Sequence, residues 1–231
     1  MASSDWTAFW DSKHSIYVNA RHYEAHYRRV AEDMIRYAPA GGIMLDYGCG
    51  EALSAGRVTE TPARLILCEA VPNVRAMLAG RFADNPKIAV RKPEDIAAMA
   101  SQSLDVIVMH SVVQYMSERE LDDLFKLFRR LLKPGALFVL GDVLQRRVSA
   151  IGDALALLRF GVQEGFFWAA VGGLIRTYFS RYWRLRKSLG LARYSEEQMS
   201  AKLEAAGFSV ARASRNIGHN ARRMTFLAHA R

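Results

Sequence analysis

Short apolar runs alternate with amphipathic segments between residues 43 and 143 of the chain. Five of these runs have the length of buried strands, at 43–47, 64–68, 88–90, 104–109 and 136–141. Segments with helical spacing of apolar residues, such as 71–82, separate the runs. Strands that alternate with helices predict βαβ units and a mainly parallel sheet with both faces covered.

Helix start signals and closing strands extend this pattern to both sides of the central segment. Residues 19–37 are predicted as a helix that ends before a Pro-Ala-Gly-Gly run. Capping boxes at 117–120 and 195–198 each predict a helix start, because a Ser is followed three positions later by Glu or Gln. The segments 208–213 and 224–229 are predicted as two closing strands that form a hairpin pair.

The alternation of strands and helices breaks after the fifth strand. Residues 146–190 are helical in tendency, aromatic and strongly basic, without a strand pattern. We therefore predict one domain with an insertion, whose core spans 41–145 and 191–231. Residues 1–40 are predicted as an aromatic, helical lid, and 146–190 as a second lid over the acceptor, because the insertion leaves the sheet where its strands end.

Composition limits the classes of protein that the chain can represent. Its 231 residues are 51% hydrophobic and 24% charged, which suits a sizeable core and argues against disorder. The two cysteines lie in predicted strands, and the start of the chain lacks the features of a secretory signal. No apolar run reaches the length of a membrane span. These features predict a cytoplasmic protein without a disulfide framework.

A glycine-rich turn follows the first predicted strand and carries the strongest chemical signal. Gly48 and Gly50 allow a tight turn and close approach of a ligand, and the next helix, predicted to begin near position 52, points its amino terminus at that ligand. Asp46 would repel a pyrophosphate there, and Leu53 replaces the third glycine of the dinucleotide fingerprint. Glu69 ends the second strand at the spacing of a ribose-binding acid. The alternatives are that Asp46 caps the turn and that Glu69 is a surface acid.

Four motifs in the correct order resemble those of class I S-adenosylmethionine-dependent methyltransferases. The run LDYGCG at 45–50 is similar to their first motif, and Glu69 matches the acid after their second strand. LDVIV at 104–108 and LLKPGA at 131–136 are similar to their fourth strand and to the turn into their fifth. The resemblance implies an α/β fold with a doubly wound, mostly parallel seven-stranded sheet and an antiparallel last strand. It also implies S-adenosyl-L-methionine as the methyl donor.

The resemblance further implies which residues contact the donor. They are Asp46, Gly48, Cys49, Gly50, Glu69 and Ala70 after the first two strands, Glu94, Asp95 and Ile96 after the third, His110 after the fourth, and Tyr17 and Arg21 in the lid. One departure concerns the adenine, because Lys92 stands where many relatives have an acid, and Glu94 and Asp95 are displaced towards Ile96. The alternative is that these two acids begin a short helix, whose positive end favours carboxylates.

Two histidines are candidates for a catalytic base, which is needed only when the acceptor atom arrives with a proton. His219 lies between the last two strands, and His110 follows the fourth strand. Imidazole has a suitable pKa, but His110 could instead pack beside the donor and His219 could be a surface residue. His22 and His26 share a helix face, which is better explained by aromatic packing than by a metal, so no metal is predicted.

The basic, aromatic insertion is the best clue to the acceptor, although the alternative is that its aromatics pack on the sheet and its arginines form a solvated face. The formal net charge is +9, and arginines in 146–187 interleave with aromatic residues, which is typical of a membrane interface. We predict methyl transfer to an oxygen or nitrogen of a small or lipid-like acceptor, with peripheral contact between 146–187 and an anionic membrane at its inner face. Nucleic acid ranks lower because no Pro-Pro-aromatic loop or Pro-Cys pair is present. An oxidoreductase and a non-catalytic binding module are the remaining alternatives.

Overall fold

The computed structural model describes residues 17–146, 150–178 and 190–231. Seven strands form one sheet: β1 (Ile43–Tyr47), β2 (Arg64–Cys68), β3 (Ile88–Arg91), β4 (Leu104–His110), β5 (Leu132–Val143), β6 (Phe208–Arg212) and β7 (Met224–Ala230). The helices of the described residues are α1 (Ala20–Ile35), α2 (Ala55–Val58), α3 (Pro72–Arg81), α4 (Pro93–Ala97), α5 (Glu118–Leu131), α6 (Ala150–Glu164), α7 (Phe167–Tyr178) and α8 (Glu196–Ala205).

The strands are ordered β3-β2-β1-β4-β5-β7-β6 across the sheet. The pairs from β3 to β5 are parallel, whereas β7 is antiparallel to both β5 and β6. The predicted seven-stranded α/β sheet with an antiparallel last strand is therefore confirmed. β1 and β4 are neighbours, but β1 is followed by β2 on one side of the pair and β4 is followed by β5 on the other. Their connections therefore lead apart, and a crevice forms at the carboxyl ends of the two strands.

The central strands are buried on both faces, which explains their unbroken apolar runs. Leu45, Leu67, Ile107 and Val108 are fully buried. One apolar cluster packs α5 and α8 against one face of the sheet, and a second packs α1, α2 and α3 against the other. Such burial is the dominant favourable term in folding, at about 25 cal/mol for each square ångström of apolar surface.

Two boundaries differ by more than two residues from those that the pattern predicts. The fifth strand covers Leu132–Val143 rather than 136–141, because α5 ends at Leu131 and the chain turns directly into the sheet. The helix after the glycine turn is predicted from position 52 but begins at Ala55. Ala52 has a positive φ of 41°, which a helix does not allow, so the turn continues for three residues longer.

The predicted helical insertion contains a helical hairpin. Gly165 turns the chain with a φ of +73°, and the amide of Phe166 donates to the carbonyl of Gly161 at 2.7 Å. Phe160 and Phe166 pack with Ala25 of α1, so α1 lies between the hairpin and the sheet. Some residues of the two predicted lids lie outside the described residues. They are Arg147, the arginines and aromatics of 179–187, and the aromatics of 1–16. None of the described helices combines the length and hydrophobicity that crossing a bilayer requires.

Candidate functional site

The glycine turn lies at the carboxyl end of β1 and is fixed by the neighbouring strand. The amides of Gly48 and Cys49 both donate to the carbonyl of Cys68, at 2.8 and 3.2 Å. Gly48 has a φ of +74°, and a Cβ placed on it would lie 2.4 Å from a methyl group of Val112. Only glycine satisfies both constraints, so the close approach of the chain to this crevice depends on position 48.

Glu69 connects the glycine turn with the start of α3. One carboxylate oxygen accepts from the amide of Gly50 at 2.9 Å, and the other accepts from the amide of Val71 at 2.8 Å. The guanidinium of Arg75 donates to the carbonyl of Glu69 at 2.9 Å, which holds the strand end in place. Burial raises the pKa of Glu69, and the two amides act in the opposite direction. The remaining lone pairs of this carboxylate can accept from ligand hydroxyls.

Asp46 lies on β1 next to Glu69 and lines the same cavity. Burial, followed by the negative charge of Glu69, raises the pKa of Asp46 to about 7. Two carboxylates in a poorly solvated site repel each other, and a cationic ligand group between them would favour their ionised forms. The pair therefore fits a positively charged ligand and opposes a phosphate.

Helix α1 covers the glycine turn with tyrosines. The amide of Glu51 donates to the hydroxyl of Tyr27 at 3.0 Å, and the hydroxyl of Tyr23 donates to the carboxylate of Glu51 at 2.6 Å. The Tyr17 ring contacts the Tyr23 ring at a centroid distance of 5.1 Å. Arg21 lies on another face of α1, beside Gly165 and exposed to solvent, so it does not line the cavity.

A polar cluster forms the other end of the cavity, where β4 and β5 end. Ser111 and Asp142 both adopt positive φ values, of 58° and 61°, and the Ser111 hydroxyl donates to the Asp142 carboxylate at 2.5 Å. Asn216 donates to the same carboxylate at 3.3 Å, and the Arg223 guanidinium lies 3.6 Å from it. Strained backbone that surrounding contacts hold in place is common at functional sites.

Gln114 contributes an unusual buried group to this end. Its amide nitrogen donates to the carbonyl of Ser111 at 2.8 Å. The residue is only 7% exposed and lines the cavity. Its amide oxygen is buried and has no hydrogen-bond partner among the described residues. A buried acceptor without a partner is costly, by about 1–3 kcal/mol, so a ligand N–H or O–H group would stabilise this arrangement.

Histidines from three parts of the chain gather around the polar end. His110 and His26 line the cavity, with ring centroids 6.3 Å apart. Nε2 of His110 lies 3.3 Å from the carbonyl oxygen of Ile217. Because a carbonyl oxygen can only accept, Nε2 is the donor of this hydrogen bond. Burial lowers the pKa of both residues, so both are neutral near pH 7. His219 instead stacks on Phe160 at 4.5 Å and does not line the cavity.

His22 packs against an aromatic ring, as the sequence predicts. The ring of His22 stacks on Phe166 at 4.8 Å, and burial lowers its pKa to about 4. Among the described residues no group of three or more histidine, cysteine, aspartate or glutamate side chains is arranged to hold a metal ion.

A single cavity of about 650 Å³ joins the glycine turn to the polar cluster. It is lined by these residues predicted to contact the donor: Tyr17, Asp46, Gly48, Cys49, Gly50, Glu69, Ala70 and His110. Glu94, Asp95 and Ile96 are not in its wall, although Pro93 is. Ile96 is buried in the core, Glu94 is exposed, and Asp95 accepts from the amide of Lys92 at 3.2 Å. Adenine contacts of these three residues remain a prediction.

His26 packs against Tyr17 and Tyr27, as the sequence predicts, and it also lines the cavity. Several cavity residues carry no functional prediction from the sequence, among them His26, Tyr27 and Arg223. The signal for the first two is helical spacing, because Tyr23, His26 and Tyr27 lie three and four positions apart on one face of α1. Arg223 offers no comparable signal, because its partners are far away along the chain.

Residues 45–140 match the family model of the methyltransferase domain. A phosphoethanolamine N-methyltransferase 1 from Haemonchus contortus, solved with phosphoethanolamine and S-adenosylhomocysteine, is 14% identical and has a TM-score of 0.64. The alignment covers 97% of this chain and 48% of that one. An S-adenosylmethionine-dependent methyltransferase from Mesorhizobium loti is also 14% identical, with a TM-score of 0.55 and coverage of 87% and 97%.

The fold also occurs with another reaction. The [4+2]-cyclase SpnF is 20% identical, with a TM-score of 0.55 and coverage of 82% of this chain and 60% of that one. A search of the curated proteins gives no match. The sheet therefore identifies the fold, and residues 45–140 are similar to a methyltransferase domain.

Proposed function

We propose that this chain is an S-adenosylmethionine-dependent methyltransferase that methylates an oxygen or nitrogen atom of a small or lipid-like acceptor. The match of residues 45–140 to a methyltransferase domain and the strand order of the sheet support the reaction type. The observation that carries the proposal is the continuous cavity between the glycine turn and the Ser111–Asp142 cluster. Its volume of about 650 Å³ is suited to a donor and a small acceptor side by side.

The glycine-turn end fits the donor. When bound, S-adenosylmethionine supplies a methyl group on a cationic sulfur, which an acceptor lone pair attacks as the carbon–sulfur bond breaks. Asp46 is the residue that would stabilise the positive charge of the donor, because it is a carboxylate in the cavity wall whose pKa is raised by burial and by the charge of Glu69. Glu69 would accept from the ribose hydroxyls, as its offset of about 20 residues from the turn suggests.

The polar end supplies the groups that would hold the acceptor. Gln114 offers a buried amide oxygen to an N–H or O–H group, and Asp142 offers a carboxylate already oriented by Ser111 and Asn216. Leu144 and Leu191 add apolar wall to the same cavity. A polar head with an apolar body matches this lining, which supports a lipid-like or other amphipathic acceptor.

His110 is the base in this proposal. It lies in the cavity wall, and burial lowers its pKa, so the ring is neutral at physiological pH. Because Nε2 donates to Ile217, the lone pair is on Nδ1, which can take the proton of the acceptor atom. His219 is the weaker candidate of the two, since its ring is stacked on Phe160 away from the cavity.

The test is an acceptor screen with methyl-labelled S-adenosylmethionine. Amphipathic amines, phenols and extracted lipids are compared with total RNA, using wild type and the Glu69→Ala and Asp142→Asn variants. We expect label in the organic phase, lost in Glu69→Ala together with donor binding, and reduced in Asp142→Asn while donor binding is retained. Label in RNA alone would replace this acceptor class with nucleic acid. Donor binding without transfer to either class would contradict the proposed acceptor.

A further inference from the structure

Exposed large hydrophobic side chains are confined to one helical hairpin. Within the described residues, the large apolar residues that are exposed to solvent are Ile151, Leu155, Val162, Trp168 and Ile175. Trp168 is 81% exposed and Ile151 is 73% exposed. All five lie on α6 and α7, and the helices that cover the sheet contribute none of them. Soluble surfaces rarely concentrate apolar residues in this way unless the surface binds something.

Helical spacing places these residues in two outward stripes. Ile151, Leu155 and Val162 are separated by four and seven positions, so they lie within about 40° of one another around α6. Trp168 and Ile175 are seven positions apart and share one side of α7. The other side of α6 carries Phe160 and the other side of α7 carries Ala170, and both are buried with Ala25 of α1. The stripes therefore form an outer face, made of the five exposed residues named above.

The charges around this outer face are of one sign. Arg159 and Arg176 are exposed beside the stripes. The acids of the two helices form ion pairs with other parts of the protein. Asp153 pairs with Arg223 at 3.1 Å, and Glu164 pairs with Arg28 at 2.5 Å. The whole chain has a formal net charge of +9. The outer face thus combines apolar stripes, an exposed tryptophan and flanking arginines.

We propose that the outer face of α6 and α7 binds the interface of an anionic lipid bilayer. Tryptophan and aliphatic side chains enter the headgroup boundary, while arginines beside them contact anionic headgroups. A second copy of this chain fits less well, because the same face on both copies would bring like charges together without an exposed acid from either helix to pair with them. This inference does not depend on methyl transfer, since a bilayer surface can be bound with or without turnover.

The position of the hairpin connects this face with the cavity. Asp153 of α6 pairs with Arg223, and Arg223 lines the acceptor end of the cavity beside Asp142. The outer face and the polar cluster are thus separated by the width of one helix. A protein docked through this face would hold its acceptor end close to the membrane, which suits an acceptor that resides there.

Co-sedimentation with vesicles tests the proposal on the full-length protein. The vesicles are phosphatidylcholine alone, or phosphatidylcholine mixed with phosphatidylglycerol. We expect sedimentation with the mixed vesicles, and an apparent affinity about tenfold lower for the Leu155→Ser/Trp168→Ser double variant. Arg159→Glu should also weaken binding, whereas Arg119→Glu, an equal charge change at a 93% exposed side chain on α5, should not.

Several outcomes would overturn the proposal. One is no sedimentation of wild type with anionic vesicles, and another is an equal loss in Arg159→Glu and Arg119→Glu, which would indicate binding by overall charge. A concentration-dependent dimer that the double variant abolishes would assign the face to a second copy. Thermal melting and donor titration of each variant verify that the core is intact, so a failure here is distinguishable from a failure of methyl transfer.

Fluorescence quenching supplies an independent measurement of the same contact. Trp168 is the tryptophan within the described residues, and the chain has four in total. Brominated lipids in the mixed vesicles should quench the emission of wild type, and the Trp168→Phe variant should lose that part of the quenching. Equal quenching in both proteins would show that residue 168 does not enter the bilayer.

Discussion

The two ends of the cavity are built in different ways. At the glycine turn, backbone amides and carbonyls within a short stretch of chain form most of the contacts, as Gly48, Gly50 and Glu69 show. At the polar end, side chains from distant positions meet, as Asp142 and Arg223 show. A site of backbone groups tolerates few substitutions at its glycines, whereas a site of side chains can change its partner without changing the fold.

This difference separates donor binding from acceptor binding. The donor end is specified by the same elements that form the sheet, so the match over 45–140 extends to it. The acceptor end lies partly outside that match, because its residues Asp142, Leu144, Leu191 and Arg223 all follow position 140. The chain can therefore be assigned to a reaction type more directly than to an acceptor.

The largest expected effect is at Gly48. In Gly48→Ala the new Cβ meets Val112, and the positive φ costs about 1–2 kcal/mol, so calorimetry should detect no binding of S-adenosylmethionine. Gly56→Ala is the matched control, because a Cβ there meets nothing within 4 Å and should leave binding unchanged. Normal binding by Gly48→Ala would show that the donor end does not depend on its backbone.

The next effect separates the two histidine candidates. His110→Gln should lower kcat by about a hundredfold or more for an acceptor that arrives protonated, because a positioned base contributes roughly that much. Its donor affinity should change far less than its kcat. His219→Gln should change kcat far less, since that ring stacks on Phe160. Equal losses in the two variants, measured under saturating donor, would remove His110 from the role of base.

A pH dependence should appear at Asp46. Its pKa is raised from 3.8 to about 7, so the folded protein retains a proton that the unfolded chain releases as pH rises through this window. The free energy of unfolding without ligand should therefore fall between pH 4 and 7. Asp46→Asn removes this loss, and its stability advantage over wild type, measured in urea, should be larger at pH 8 than at pH 5.

Donor binding should show the opposite trend at the same residue. A cationic ligand favours ionised Asp46, so wild-type affinity should fall by about tenfold for each pH unit below 7. Asp46→Asn should bind more weakly at pH 8 and lose this dependence. The measurement is calorimetry in two buffers of different ionisation enthalpy, and an unchanged proton release in the variant would assign the linkage to another group.

The smallest effect is expected at Gln114. Gln114→Leu removes the unpaired buried oxygen and should lower kcat/KM for the acceptor by about fivefold, the value of one hydrogen bond. Donor affinity should not change, and thermal melting should show a stability within about 1 kcal/mol of wild type. A variant that loses donor binding as well would show that Gln114 faces the wrong end of the cavity.

The same contrast explains what the sequence could predict. The strands and the glycine turn were predictable because apolar runs and a six-residue motif are local patterns, whereas the seven-stranded sheet with an antiparallel last strand was implied by the family resemblance. Arg21 and Tyr23 are only two positions apart on α1, but two positions along a helix place the side chains on different faces. Only Tyr23 lines the cavity, and the sequence alone does not show which face does so. Asp142 and Arg223 are 81 positions apart (223 − 142), so only the β5–β7 pairing brings them together.

Titration of the wild-type protein and of Glu69→Gln with S-adenosylmethionine tests the central claim most directly. Glu69 accepts from the amides of Gly50 and Val71 and lines the cavity, so it is common to the turn and to the ligand. We predict saturable binding by wild type and an affinity at least tenfold lower for Glu69→Gln, measured on proteins with matching melting curves. No binding by folded wild type, or equal binding by both proteins, would contradict a donor site at the glycine turn.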